Sequence, residues 1–153
     1  MAQEQRRADR MAADPDLGAL SARLLFSVQA ELFGTLAERG FDDLTPRHGA
    51  VLAYLDESGV RASELARLSG LHKQIIGTIV DELEALGYVE RKPDPADRRA
   101  KLVVPTERGL AEQRAADGIL AGIERRHAEA LSEQRYARFK RDLRFIVERQ
   151  RSR

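Results

Sequence analysis

Apolar residues recur every three or four positions over most of this chain, which is the spacing of amphipathic helices. The first such stretch ends near Gly40, a residue type that commonly terminates helices. Its regularly spaced apolar residues are Leu17, Leu20, Leu24, Val28, Leu32 and Leu36. Leu25, Phe26 and Phe33 widen the apolar face beyond what a single surface helix needs. The residues before Asp14 are polar and are expected to be flexible.

Three shorter helices are predicted to follow. The first begins at Thr45-Pro46, because threonine caps free N–H groups and proline suits the first helical position, and it should end at Ser58-Gly59. Ser63 should cap the second helix, which stops at a Ser69-Gly70 turn. The third runs from His72 to Leu86. Its inward-facing residues are Ile76, Ile79, Val80, Leu83 and Leu86. Two helices joined by so short a turn are typical of a helix-turn-helix.

A small hairpin is predicted after these helices. Residues 88–91 read as one strand and residues 102–104 as its return, while prolines and aspartates exclude a helix between them. Residues 60–62 read as a short extended link. Thr106 should cap a long helix from Glu107 to Leu131, and Ser132 should cap the last helix. The predicted fold class is therefore mainly α with a small β-hairpin wing.

Composition and charge exclude several classes of protein. The chain of 153 residues carries 26 basic and 25 acidic side chains, so its net charge of +1 does not indicate binding through bulk charge. It has no cysteine, which excludes disulfides, thiolate metal sites and thiol-based redox sensing. No secretory signal and no apolar run of about 20 residues, the length that spans a bilayer, is visible. These features predict a soluble cytoplasmic protein.

The start of the third short helix carries the candidate base-reading residues. N-terminal residues of a recognition helix usually reach base edges in the major groove. The candidates are His72, Lys73, Gln74, Gly77 and Thr78. Glutamine can read adenine, lysine can read guanine, and threonine can touch a thymine methyl. Because Gly77 costs a helix about 1 kcal/mol relative to alanine, it should serve a close approach, either to DNA or to the preceding helix. An ordinary solvated helix face is the alternative.

The predicted hairpin is locally basic. From Arg91 to Lys101 it holds five basic residues against Asp94 and Asp97. The basic residues are Arg91, Lys92, Arg98, Arg99 and Lys101, and all except Lys92 are candidate DNA contacts. Basic side chains at a hairpin tip can enter a narrow minor groove. The end of the recognition helix is instead acidic, through Asp81, Glu82 and Glu84, which suits a face turned from phosphate. Asp81 is predicted to hold Arg99 and support the wing.

Several motifs now coincide in order. They are E-L-A-x-x-x-G-L, I-V-D-x-L-E-x-x-G-Y-V-E-R, D-P-A-D-R-R-A and V-x-P-T-E-R-G. In these motifs the chain resembles the MarR family of bacterial transcription regulators from about Leu17 onward. The resemblance implies a winged helix-turn-helix in a homodimer whose first and last helices interleave. It also implies base contacts from His72 onward, a wing stabilised by Asp97 and Arg99, and Arg98 in the minor groove.

The chain departs from the family pattern at three places. Serine or threonine is common in the family where this chain has Gln74, Ile75 and Gly77, so the operator sequence does not carry over. Pro105 replaces the usual leucine before Thr106. The cysteine of peroxide-sensing members is missing, and that sensing mode therefore does not apply.

The long terminal helices predict a domain organisation. Residues 1–15 form a flexible N-terminus, residues 16–40 and 107–150 a helical dimerisation region, and residues 45–105 the DNA-binding winged helix-turn-helix. The apolar faces of these helices are larger than the core of a DNA-binding region of about 50 residues requires. Surplus apolar faces of this kind are typical of symmetric dimers. An intrachain three-helix bundle is the alternative. The basic residues from Arg135 to Arg153 favour a solvated helix face over a phosphate contact.

An effector site is predicted beside the second helix, where the resemblance implies a cleft. Arginine with histidine can hold the carboxylate or phenolate of a small aromatic ligand. The candidate residues are Arg23, Phe26, Arg47, His48 and Tyr54. The three histidines are too widely spread for a metal motif, and no catalytic constellation, cofactor site or phosphate-binding glycine loop is visible. The sequence thus predicts a homodimeric, ligand-released repressor of a pseudo-palindromic operator. The alternatives are a metal-responsive regulator of the same fold and a winged-helix protein-interaction module that does not bind DNA.

Overall fold

Helices make up most of residues 6–153, which are the residues that the computed structural model describes. The helices are α1 Arg7–Ala13, α2 Leu17–Glu38, a 3-10 turn Pro46–His48, α3 Gly49–Leu52, α4 Ala62–Ser69, α5 Lys73–Ala85, α6 Glu107–Leu131 and α7 Glu133–Arg151. The strands are β1 Val60–Arg61, β2 Val89–Pro93 and β3 Lys101–Pro105. The predicted fold class is confirmed.

The wing is part of a three-stranded antiparallel sheet with the strand order β1-β3-β2. Val103 at the centre of β3 lies opposite Arg91 in β2 and opposite Val60 in β1. The β2–β3 hairpin is as the sequence predicts. The predicted extended link at residues 60–62 contains β1, which pairs with β3; two residues are too short to show the alternation of a strand in the sequence.

Helix α4 begins two residues earlier than predicted. Arg61 keeps an extended backbone as the last residue of β1 and occupies the N-cap position, so Ser63 is not the cap. Gly70 ends the helix with a left-handed φ of 78°, which glycine adopts without strain. Helix α5 follows with His72 at its N-cap, close to the predicted start.

Helix α3 is shorter than predicted, since it ends at Leu52 rather than at Ser58-Gly59. The side-chain amide of Gln113 donates hydrogen bonds to the carbonyl oxygens of Leu52 at 3.1 Å and Leu55 at 3.0 Å. A residue of α6 therefore satisfies carbonyls that a longer helix would have paired internally. No local signal could have indicated this long-range cap.

The core lies between the short helices and the sheet. Its buried side chains are Leu44, Val51, Leu52, Leu65, Ile76, Ile79, Val80, Leu83, Tyr88, Val89 and Val103. Helix α6 starts against this core because Gly109 has no side chain, and a Cβ there would lie 2.2 Å from the carbonyl oxygen of Tyr88. Thr106 caps α6 as predicted, accepting a 3.2 Å hydrogen bond from the Gly109 N–H.

The chain divides into two compact units, one ending at Gln113 and the other spanning Arg114–Arg153. In the second unit Ser132 caps α7 as predicted, accepting a hydrogen bond from the Arg135 N–H at 3.4 Å. Glu124 of α6 there accepts hydrogen bonds from the Tyr136 hydroxyl at 3.3 Å and the Lys140 ammonium at 2.5 Å. These contacts hold the end of α6 against α7.

Helix α1 forms within the 1–15 segment that was expected to be flexible, and it buries no residue. Residues 1–5 of that segment lie outside the described residues. Helix α2 has the wide apolar face that its sequence predicts, and much of this face is exposed. Its large exposed residues, 45–67% accessible, are Leu17, Leu20, Leu24, Leu25 and Phe26. Exposed apolar residues of α7 are Phe139, Phe145, Ile146 and Val147.

Candidate DNA-binding site

Helix α5 has one buried face and one open face. Ile76, Ile79, Val80 and Leu83 point into the core. The predicted base-reading residues lie at the exposed start of the same helix: His72, Lys73, Gln74 and Thr78 are exposed, and Gly77 is half-buried. The hydroxyl of Thr78 donates a 3.2 Å hydrogen bond to the carbonyl of Gln74. The structure thus places His72 at the N-cap of α5 and the other four residues on its first two turns.

Gly77 is not needed for packing within the chain. A Cβ built at this position has no neighbouring atom within 4 Å apart from its own helix. The sequence offered two explanations for this glycine, a close approach to DNA or to the preceding helix. The second explanation is therefore wrong. Close approach to DNA stays a prediction.

The wing is tied to the back of α5 by Arg91. Its guanidinium contacts the carboxylates of Asp81 at 2.7 Å and Glu84 at 2.9 Å. Its backbone N–H donates to the Glu84 carboxylate at 3.0 Å. The predicted pair of Asp81 with Arg99 is therefore wrong, because Asp81 and Glu84 lie one helical turn apart and both reach Arg91. Arg91, a predicted DNA contact, is engaged in supporting the wing.

A second tie holds the base of the wing loop. The buried carboxylate of Asp94 accepts hydrogen bonds from the Arg61 guanidinium at 2.7 Å and from the Ala96 N–H at 2.8 Å. The Ala96 N–H lowers the pKa of Asp94 most, and Arg61 lowers it further. From the sequence, Asp94 is predicted only as an acidic residue of the wing, and this structural role is not predicted. The Asp94-Pro95 pair is a turn signal that points to the local contact, but not to Arg61.

The basic side chains at the tip of the wing are exposed to solvent. Asp97 accepts a 3.1 Å hydrogen bond from the backbone N–H of Arg99, so its support of the wing acts through the backbone. Arg98, Arg99 and Lys101 are exposed. Among the ion pairs formed within residues 6–153, none uses these three side chains or Lys73. Cations at the wing tip, at the start of β3 and at the start of α5 are therefore available to a phosphate partner.

Glu82 links α5 to the 3-10 turn. Its carboxylate contacts Arg47 at 3.3 Å and the Nε2 of His48 at 3.1 Å. His48 is 4% exposed, and its Nδ1 accepts a 2.9 Å hydrogen bond from the Thr45 N–H. Because a backbone N–H can only donate, Nδ1 must be the acceptor and Nε2 carries the proton that faces Glu82. The imidazole thus bridges the backbone of Thr45 and the recognition helix.

The other predicted effector residues have different surroundings. The guanidinium of Arg23 donates to the carbonyl of Met11 at 3.3 Å. Phe26 and Tyr54 are exposed. Of the five predicted ligand residues, Arg47 and His48 are the pair that shares a partner, through Glu82.

Residues 6–153 lack two features that are typical of other protein classes. No group of three or more histidine, aspartate or glutamate side chains in this span is placed to hold a metal ion. None of the helices formed by these residues has both the length and the apolar character needed to cross a bilayer.

A helix pair with a short turn, followed by a sheet with an extended hairpin, defines a winged helix-turn-helix. Known proteins agree with this class. The model of the MarR family matches residues 42–100. An uncharacterized HTH-type transcriptional regulator, YcgE of Bacillus subtilis (strain 168), is 44% identical over 52 residues, which are 33% of this chain and 34% of that protein. The match thus spans about a third of that relative.

Solved structures match over a greater length. CouR of Rhodococcus jostii RHA1 bound to p-coumaroyl-CoA is 30% identical, with a TM-score of 0.72 over 88% of this chain and 92% of that chain. The repressor CouR bound to a 23-mer DNA duplex is 25% identical, with a TM-score of 0.73 over 94% and 99%. Rv2887, a MarR family protein of Mycobacterium tuberculosis in complex with salicylic acid, is 28% identical, with a TM-score of 0.61 over 88% and 98%.

The chain belongs to the MarR family of transcription regulators, and the resemblance seen in its motifs is confirmed. The family comprises DNA-binding regulators rather than enzymes.

Proposed function

We propose that this regulator is a repressor that binds a pseudo-palindromic operator in the cytoplasm as a homodimer and leaves it when a small aromatic or phenolic ligand binds. One observation carries the proposal of DNA binding: some basic side chains at the wing form ion pairs within the chain, and others do not. Arg91 is held by Asp81 and Glu84 of α5, and Arg61 is held by Asp94 at the base of the wing loop. Arg98, Arg99 and Lys101 are instead open to an external anion. The ion-paired cations hold the wing in place, and the exposed cations at its tip can contact DNA phosphates.

The proposed binding mode assigns separate tasks to α5 and the wing. His72, Lys73, Gln74, Gly77 and Thr78 face base edges in the major groove, as is usual for the start of a recognition helix. The wing tip enters the flanking minor groove, where narrow A·T-rich stretches attract arginine. The structure of CouR, a relative of the same fold, bound to a 23-mer DNA duplex supports binding of DNA by this chain.

The proposed homodimer rests on the exposed apolar faces of α2 and α7. A contiguous apolar face at a protein surface commonly marks an interface. Residues 16–40 and 107–150 would form the dimerisation region and residues 45–105 the DNA-binding region. The alternative is a monomer whose terminal helices form an intrachain bundle. Sedimentation at micromolar protein concentration separates the two, because a monomer there contradicts the dimer.

The proposed ligand site comprises Arg23, Phe26, Arg47, His48 and Tyr54. Relatives bound to p-coumaroyl-CoA and to salicylic acid support an aromatic ligand. In this chain Glu82 already occupies Arg47 and His48. A ligand carboxylate would compete with Glu82, and this exchange would release the tie between the 3-10 turn and the recognition helix. The ligand can shift DNA binding only by its differential affinity for the two states.

The decisive experiment selects bound sequences from random double-stranded DNA and measures the affinity of the purified chain for them at physiological salt. We expect two half-sites related by a dyad, about one helical turn apart. A chain that binds all sequences equally, or none, would contradict the proposal and favour a protein-interaction module. Adding salicylate to the complex then tests release.

A further inference from the structure

Two large aliphatic side chains are exposed at the N-terminal end of α5, which faces DNA in the proposed function. Leu71 lies in the turn before α5 and is 37% exposed, and Ile75 lies in the first turn and is 43% exposed. The neighbouring Ile76 is completely buried. Ile75 is therefore outside the apolar face that packs α5 on the core.

The surroundings of Ile75 are polar and basic. Gln74 precedes it, Thr78 lies one turn further on the same side, and the unpaired side chain of Lys73 stands at the helix start. An apolar contact here must therefore be made by a partner that also presents hydrogen-bonding groups and negative charge. The major groove of DNA meets these conditions, because its edges carry donors and acceptors between two rows of phosphates.

The one apolar group displayed in the major groove is the C5 methyl of thymine. We propose that Ile75, with Leu71 beside the N-cap, reads thymine methyl groups, so that each operator half-site carries thymine where the first turn of α5 enters. This inference rests on the proposed DNA binding and adds a specificity-determining contact to it. The backbone fits such a role, since the Leu71 N–H donates to the Ser69 hydroxyl at 3.3 Å and the residue is thereby held in the turn.

The test replaces thymine by deoxyuridine at each position of the selected operator, which removes only the C5 methyl. We expect one position per half-site at which the dissociation constant rises about 4-fold, the value of one buried methyl group. Changing both half-sites should give about 15-fold, if the two contributions add. Cytosine at that position should also weaken binding, and 5-methylcytosine should recover part of the loss.

The protein variant completes a double-mutant cycle. In Ile75→Ala the uridine effect should disappear, whereas Ile75→Val should keep part of it. Arg98→Ala is the matched control: it should weaken binding to the thymine and uridine duplexes by the same factor, because it acts on the phosphate backbone or the minor groove. Leu71→Ala tests the second side chain in the same cycle.

Each outcome decides the matter. If the parent chain selects an operator but uridine has no effect at any position, the inference is wrong while the proposed function stands. If uridine weakens Ile75→Ala and Leu71→Ala as much as the parent, another residue reads the methyl and the inference is again wrong. If Ile75→Ala alters the oligomeric state and leaves DNA affinity unchanged, the side chain serves a protein contact. A parent chain without sequence preference would instead overturn the proposed function itself.

Discussion

The hydroxyl of Tyr88 donates a 2.5 Å hydrogen bond to the carboxylate of Asp43, across 45 residues of sequence. Arg108 joins the same network: its guanidinium lies 4.2 Å from the centre of the Tyr88 ring and 3.0 Å from Asp43. It also donates to the carbonyl of Leu86 at 2.6 Å. A completely buried tyrosine thus connects the segment after α2, the end of α5 and the start of α6. This network fixes the base from which the wing extends.

Replacing Tyr88 by phenylalanine should therefore destabilise the protein without breaking the core. The ring and its contact with Arg108 remain, and only the hydrogen bond to a charged group is lost. We expect the free energy of unfolding to fall by about 1.5–3 kcal/mol, measured by urea denaturation. Thr78→Val, which removes an exposed hydroxyl, should cost much less. An unchanged stability of the Tyr88 variant would show that the hydroxyl is equally well satisfied by water.

The same network predicts a dependence of stability on pH. Burial raises the pKa of Asp43, but the hydrogen bonds from Tyr88 and Arg108 together lower it more, so that it lies below the usual value of 3.8. A carboxyl with a depressed pKa stabilises the fold above its unfolded pKa and loses this contribution as pH falls through the folded pKa. Asp43 should therefore add a steep loss of stability below about pH 4. Asp43→Asn should be less stable than the parent at neutral pH, and the difference should shrink in acid.

Much of the fold was predictable because its signals are local. Thr106 and Ser132 cap α6 and α7 as their sequence positions predict, and Gly70 ends α4. Each of these signals acts on N–H or carbonyl groups a few residues away, so a linear reading is sufficient. The inward face of α5 was likewise predictable from its periodicity.

The features that escaped prediction depend on distant partners. Arg91 rather than Arg99 holds Asp81, because the sheet brings β2 back along the acidic face of α5. Gln113 donates hydrogen bonds to the carbonyl oxygens of Leu52 and Leu55 from 61 and 58 residues away. The sequence shows which residues of the wing are charged, but it does not show which of them form ion pairs. The ion pairs determine which cations remain available to DNA.

The pairing makes a quantitative prediction for salt dependence. Arg98 has no ion pair within residues 6–153, whereas Arg91 is held by Asp81 and Glu84. Arg98→Ala should weaken operator binding and reduce the slope of log K against log salt by about one per wing, as expected for a lost phosphate contact. Arg91→Ala should leave that slope nearly unchanged. Equal slope changes in the two variants would show that Arg91 also contacts DNA.

Two glycines should respond in opposite ways to the same substitution. Gly77→Ala should raise the free energy of unfolding by about 1 kcal/mol, because alanine favours a helix and the site is open. It should nevertheless weaken operator binding if α5 approaches DNA there. Gly109→Ala should destabilise the fold, since its Cβ would meet the Tyr88 carbonyl at 2.2 Å. Thermal unfolding and gel retardation measure the two effects separately. Operator binding by Gly77→Ala that equals the parent's would exclude close approach at this residue.

The contacts of Glu82 make the ligand proposal testable with salicylate as the probe. If the ligand carboxylate displaces Glu82 from Arg47, then Glu82→Gln removes the internal competitor and keeps an oxygen that can accept from His48. A partly exposed pair of this kind contributes at most about 1 kcal/mol, so salicylate should bind at most about 5-fold more tightly. Arg47→Ala should bind it more weakly. Isothermal titration of the three proteins measures the changes.

Glu84→Gln is the matched control for this prediction. Glu84 lies on the same helix and loses the same charge, but its partner is Arg91 rather than Arg47. Its salicylate affinity should therefore equal that of the parent. If Glu82→Gln and Glu84→Gln strengthen binding equally, the effect is one of net charge and the exchange with Glu82 is wrong. If Glu82→Gln and Arg47→Ala both bind as the parent does, salicylate does not use this pair, and the tie between the 3-10 turn and α5 would serve only to orient the recognition helix.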